Sequence, residues 1–305
     1  MTTYNHKSTC TQKVTIPERT SAPETQLHVK IVTQNKNEMG SRPVIFILPG
    51  GPGLDHSTYQ SYNCLLDVAD IVFHDPRGCG QSEKGDPSTY SMENYVDDVD
   101  ILRQSLNLKN IIPLGKSYGS VCAMAYALRY KNSIAKLILS AGAPSYRSLE
   151  TAKQNLLKLG TPKQINIFEK VWNGSFKSHK ELSEFYAITA PLYSNHIKTR
   201  LEAYALTYFS KNFSYDAMNW GFTKFLPHFD FEPELHLIEH NTLILAGEDD
   251  WINDIKHIKL MAEKIPNNTL KIFSDAGHAI ESDIGKPYFE EIRKFIINAE
   301  ALKVI

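Results

Sequence analysis

The chain is 305 residues long, 42% hydrophobic and 22% charged, with a formal net charge of -1 at pH 7. That length buries a substantial core, as one large domain or a domain with an insertion, and the near-neutral balance leaves no electrostatic footprint for nucleic acid or an anionic membrane. The longest aliphatic and aromatic run, Val44 to Leu48, cannot span a bilayer, and Met1 to Lys7 carries no apolar leader core.

Short apolar, often β-branched runs predict strands at 13–16, 27–33, 44–48, 71–74, 111–114, 137–140, 242–245 and 270–273. From Val44 onward most are separated by helical patterns, at 57–68, 92–106, 120–130, 254–264 and 287–298. This alternation builds a mostly parallel central sheet flanked by helices, with the two earliest strands as an antiparallel edge. Between about Ser145 and Glu234 the strand signal disappears and amphipathic, aromatic-rich helical text takes over, as at 149–159 and 182–192. The predicted organisation is an α/β core over 1–144 and 236–305, interrupted by an inserted helical cap over 145–235. Cys10, Cys64, Cys79 and Cys122 lack metal or redox spacing, so free thiols are expected, and the lack of an apolar leader core or bilayer-length run leads to the expectation of a cytoplasmic location.

Gly115-Lys116-Ser117-Tyr118-Gly119 follows one predicted strand and precedes a predicted helix. A serine at a sharp strand-to-helix turn needs small neighbours, and its hydroxyl then points outward as a nucleophile. A serine hydroxyl is weak near neutral pH, so it needs a base within reach and an acid to orient that base. The strand at 242–245 runs into Ala246-Gly247-Glu248-Asp249-Asp250, and the strand at 270–273 leads to Ser274-Asp275-Ala276-Gly277-His278. Ser117, a carboxylate near 250 and His278 therefore each follow a strand, in an order shared with one large class of serine hydrolases. Only one of Glu248, Asp249 and Asp250 can face the histidine, and Asp250 is favoured. An oxyanion hole is expected from the Tyr118 amide and, in the glycine-rich loop Pro49-Gly50-Gly51-Pro52-Gly53, from the Gly51 amide.

Three decoys fail on spacing. Gly115-Lys116-Ser117 lacks the upstream glycine of a P-loop, since Asn110 stands there. His56 and Glu83 occupy the third glycine positions of two would-be dinucleotide fingerprints. His236-Leu237-Ile238-Glu239-His240 matches an inverted zinc-protease pattern but sits too close to a core strand for a metal helix, so zinc is not expected there.

These motifs, with Asp75-Pro76-Arg77-Gly78-Cys79-Gly80-Gln81-Ser82, resemble the proline iminopeptidase family of α/β hydrolases. The resemblance covers the core from about Val44 to Asp283 and implies an α/β-hydrolase fold. It implies catalytic Ser117, Asp250 and His278, an oxyanion amide at Gly51, and a structural role for Asp75 and Arg77. The implied activity is removal of an N-terminal residue, often proline, from short peptides, using no metal or organic cofactor. Hydrolysis of small esters, lactones or amides is the alternative reading, and a non-catalytic binding protein the lesser one. Two residues depart from the family: Pro49 replaces a histidine, and Lys116 replaces a small residue and is expected to point away from the site. No family glutamate motif aligns in the cap, where Asp216, Glu232 and Glu234 are read as surface groups.

Overall fold

The computed structural model describes residues 8–34, 39–197 and 213–298, so the leader expectation at Met1 to Lys7 lies outside it. Its strands are β1 (Ser8–Ile16), β2 (Thr25–Thr33), β3 (Val44–Leu48), β4 (Asp70–His74), β5 (Ile112–Lys116), β6 (Leu137–Ser140), β7 (Thr242–Gly247) and β8 (Asn268–Phe273). They form one sheet in the order β1-β2-β4-β3-β5-β6-β7-β8. β1 and β2 are antiparallel to their neighbours and every pairing from β4 to β8 is parallel, as the sequence pattern requires.

The central strands β3 to β7 are buried on both faces. Along β3, Phe46 and Leu48 join one apolar cluster while Ile45 and Ile47 join the other, the two-residue alternation of a covered sheet. Helices α1 (Met92–Ser105) and α2 (Tyr118–Arg129) cover the first face. The second face is covered by Tyr59, Tyr62 and Leu65 and, near the carboxyl terminus, by Phe289, Ile292 and Ile296. The helix expected at 57–68 forms instead as 3-10 turns over His56–Asp67, kinked at Tyr59 (φ -108°, ψ 20°). Its run of Ser57, Thr58, Ser61 and Asn63 favours caps and turns over an α-helix interior.

Between β6 and β7 the described residues hold helices α3 (Arg147–Leu159), α4 (Pro162–Trp172), α5 (His179–Tyr193) and α6 (Tyr215–Trp220). Thr161 and Gln164 close a full capping box around the start of α4, with Pro162 in its first turn. The chain enters and leaves this segment side by side: the Tyr146 amide donates to the Phe229 carbonyl and the Phe231 amide to the Pro144 carbonyl, both at 2.9 Å. These helices share an apolar cluster that includes Leu156, Phe168, Val171, Phe185 and Met218, and Trp251 from the loop after β7 enters it. Trp251 and Phe168 meet edge to face at 5.3 Å.

The remaining helices, α7 (Ile255–Lys264), α8 (Ile280–Ile284) and α9 (Lys286–Ile297), follow β7 and β8. Among the described residues, no helix is long and apolar enough to cross a membrane. All four cysteines are free.

One contact fixes how closely α2 can lie on the sheet. A Cβ at Gly119 would stand 1.9 Å from the Leu48 carbonyl oxygen at the end of β3. Gly119→Ala must therefore push α2 off the sheet, and we expect a loss of about 3 kcal/mol, read as a lower urea midpoint.

Candidate active site

The site lies at the carboxyl ends of β3, β5, β7 and β8, where an open parallel sheet presents its loops. Ser117, immediately after β5, has φ 57° and ψ -122°, a region that costs a non-glycine residue of order 1–3 kcal/mol. Its surroundings hold it there. The Ser117 amide donates to the Ser140 carbonyl at 2.9 Å. The Ser120 hydroxyl donates towards the Gly115 and Ser140 carbonyls at 2.7 and 2.9 Å and accepts from the Ser140 amide at 3.0 Å. Ser120 is fully buried, and this clamp between β5, α2 and β6 carries no signature in the pentapeptide. A Cβ at Gly115 would meet the Gly119 carbonyl oxygen at 2.1 Å, so the turn closes only with glycines at both of its flanks.

His278 sits in the loop after β8, with Nε2 2.9 Å from Ser117 Oγ and Nδ1 2.8 Å from Asp250 Oδ2. An ionised carboxylate only accepts, so Nδ1 carries the proton and Nε2 is left to accept from the serine. The other Asp250 oxygen, Oδ1, accepts from the Ile252 and Asn253 amides at 2.9 and 3.0 Å. Asn253 in turn donates from Nδ2 to the Ala141 carbonyl at 2.6 Å, tying the acid's loop to the end of β6. Burial pushes the Asp250 carboxyl up. The charge and hydrogen bond of His278, the Asn253 amide and the Lys116 cation together outweigh burial and hold the carboxyl below its ordinary 3.8.

Of the three consecutive carboxylates, Asp250 alone meets the histidine. Asp249 is exposed and accepts from Asn195 Nδ2 at 2.8 Å, and Glu248 is exposed.

The loop after β3 lies against the serine. Gly50 has no room for a side chain, since a Cβ would stand 2.6 Å from the Lys116 carbonyl oxygen and 3.1 Å from Ser117 Cβ. Its amide is taken by the Tyr59 hydroxyl at 2.7 Å, which leaves Gly51, at φ 110°, as the next amide along. Tyr118 opens α2, so its amide has no carbonyl one turn behind it within the helix. Gly51, Ser117, Tyr118 and His278 all line one cavity of about 330 Å³ beneath α3–α6.

That cavity is apolar over most of its wall, with Val121, Phe168, Phe185, Met218, Phe222 and Phe229 among its lining. Among its described lining residues, Glu281 is the one carboxylate and Lys116 the one cation, and they pair with each other at 2.8 Å. Lys116 is thus buried at the site, in contrast to the outward side chain expected from its position beside the serine. Tyr193, at the end of α5, packs edge to face on the His278 ring at 5.6 Å, and its carbonyl accepts from the Ala279 amide at 2.7 Å. Neither contact was visible from spacing, because α5 and the histidine loop lie far apart in the chain.

The surrounding motifs find structural partners. Arg77 donates to both Asp98 oxygens and to the Pro23 carbonyl, and Asp75 accepts from the His56 and Gln81 amides. Asp216, Glu232 and Glu234 are not among the residues lining the cavity, and Glu232 pairs with Ser145 and Arg147. His240 Nε2 contacts the Lys131 carbonyl at 2.7 Å, and His236 and Glu239 are exposed. Among the described residues, His28, His56 and Asp75 form the one grouping of three potential ligand side chains, 4.8 Å or less apart.

Comparison with known proteins agrees with this architecture. The family model described as the alpha/beta hydrolase fold matches residues 43–281. The chain belongs to the α/β-hydrolase fold family. Among curated proteins it is similar to a proline iminopeptidase of Pestalotiopsis fici, 29% identical over 83% of this chain and 92% of that protein. A cis-3-alkyl-4-alkyloxetan-2-one decarboxylase of Shewanella oneidensis is 27% identical over 87% of this chain and 85% of that one. Among solved structures, a proline iminopeptidase of Mycobacterium smegmatis superposes with a TM-score of 0.72 at 16% identity, covering 93% of this chain and 97% of that one.

The depressed Asp250 carboxyl has a consequence for acid stability. With its folded value below 3.8, the stability it contributes is complete above the unfolded value and lost as pH falls through the folded one. The urea-midpoint gap between wild type and Asp250→Asn should therefore be wider at about pH 5 than at about pH 2.5.

Proposed function

We propose that the protein is a serine hydrolase that works through an acyl-enzyme, of proline iminopeptidase type, removing N-terminal proline or another small residue from short peptides. The supporting observation is the hydrogen-bonded chain from Ser117 Oγ through His278 to a buried, ionised Asp250. Ser117 attacks the carbonyl carbon while its proton passes to His278 Nε2, and Asp250 steadies the imidazolium so formed. The Gly51 and Tyr118 amides receive the oxyanion, each donor worth roughly 3–4 kcal/mol in the transition state. Collapse expels the leaving amine with the proton from His278, and water repeats the sequence on the acyl-enzyme. The proposed organisation places residues 145–235 as a cap over the cavity, with the core on either side.

Similarity to curated proline iminopeptidases over most of the chain supports the peptide substrate. On this reading Glu281 is the carboxylate available to a free N-terminal amine. The pairing of Glu281 with Lys116 favours a second reading, in which the cavity takes an apolar acyl group from an ester, lactone or amide. Four free thiols suit the reducing cytoplasm proposed as its compartment, and no nucleic-acid or membrane partner is part of the proposal.

Ser117→Ala should abolish labelling by a fluorophosphonate probe, and undiminished labelling would sink the nucleophile assignment. Asp250→Asn should lower kcat by about 10⁴-fold. A panel of prolyl and other aminoacyl anilides, their N-blocked forms and short-chain esters separates the substrate readings. Cleavage only of anilides with a free amine supports the peptidase, and ester turnover without anilide cleavage supports the alternative.

A further inference from the structure

We propose that Lys116 is a positioning residue: it holds the main chain of His278 while the adjacent Ser117 engages the ring, so that two neighbouring residues of one strand end fix the base from both sides. This rests on Ser117 being the nucleophile.

The histidine loop runs directly into the short helix α8. The turn-forming amides of Ser282 and Asp283 both donate to the Ala279 carbonyl, one residue beyond His278. A buried carbonyl needs a donor, and Lys116 Nζ supplies it to His278 at 2.6 Å. The same ammonium meets Glu281 Oε2, in the first turn of α8, at 2.8 Å. Lys116 is 5% exposed, and an ammonium that deep needs a partner for its charge. The carboxylate balances its charge, and the carbonyl directs one of its three donors.

The other main-chain anchors of the loop come from elsewhere. The Gly277 amide donates to Asp283 Oδ2 at 2.8 Å, and the Ala279 amide donates to Tyr193. Lys116 is the link that runs from the nucleophile's own strand. Because β5 ends at Lys116, any shift of the serine carries the lysine with it, and the His278 main chain follows. The separation of Ser117 Oγ and His278 Nε2 is thereby tied to backbone geometry as well as to a single side-chain hydrogen bond. The aliphatic stem of Lys116 reaches this carbonyl with a charged donor, which the small residue of the related motif cannot do.

The test is the kinetics of fluorophosphonate labelling at Ser117, which needs no knowledge of the substrate. Maximal rate and half-saturating concentration are measured for wild type, K116M and K116R, with the labelled fraction read by intact mass. K116M is expected to lower the maximal rate by about 10- to 100-fold, with half-saturation nearly unchanged and labelling still reaching every chain. K116R, which keeps both the charge and a donor, restores most of the rate. Partial unfolding would lower the labelled fraction instead of the rate. If K116M does not fold, K116Q, too short to reach the carbonyl, carries the same expectation. A wild type that labels at Ser117 beside an equally fast K116M or K116Q overturns the inference alone. A wild type unlabelled at Ser117 removes the nucleophile reading and this inference with it.

Discussion

A serine forced to a positive φ at the end of a buried strand is the constraint around which the rest of the molecule is arranged. The conformation of Ser117 is unfavourable for any L-residue with a side chain, and no single contact would maintain it. β5 supplies one side, α2 the other, and Ser120 fastens both to β6 through a hydroxyl that donates and accepts at once. The glycines on either side permit the approach of backbone to backbone that the turn demands. The parallel sheet is thus the rigid part, and its strand ends deliver Asp250 and His278 to a hydroxyl already aimed at them.

The electrostatics follow the same logic. Two carboxylates and a lysine lie around His278, in a place where isolated charges would be expensive. Each has a counter-charge or backbone donors: Asp250 two amides and the imidazole, Glu281 the Lys116 ammonium. Charge is balanced locally, and most of the cavity wall beyond it is apolar. A ligand entering the cavity meets hydrocarbon on most sides and polar groups chiefly at the serine end.

The core was legible in the sequence because its signals are local. An apolar run such as Val44 to Leu48, a glycine pair around Ser117, or a histidine just beyond a strand each carries its meaning within a few residues. The eight strands, the mixed sheet and the order of the three candidate residues followed from such patterns. What stayed hidden depends on contacts between distant segments. Asn253 and Ser120 work through the Ala141 and Ser140 carbonyls, which no spacing rule reveals. The course of Lys116 was misread because position beside Ser117 says nothing about where a long side chain finds an acceptor. The choice among Glu248, Asp249 and Asp250 became definite only once the turn after β7 was seen to bury the last of them and leave the first two in solvent. The kinked turns at His56–Asp67 show the remaining weakness: apolar spacing looks helical, while serine, threonine and asparagine bend it otherwise.

The helices over the cavity touch both halves of the site. The Ser214 amide, at the start of α6, donates to the Gly53 carbonyl of the glycine-rich loop at 2.8 Å, and Gly221 leaves room for Pro52. At the other side, the end of α5 holds the histidine loop through Tyr193, and Asn195 and Ser194 bond Asp283. The segment is therefore part of the machinery's mounting as well as its roof. Transplanting these helices from a relative would remove supports of His278 and of the glycine loop together. A chimera would have to carry Tyr193, Ser194, Asn195 and Ser214 across with the graft, or inherit a new specificity on a loosened histidine.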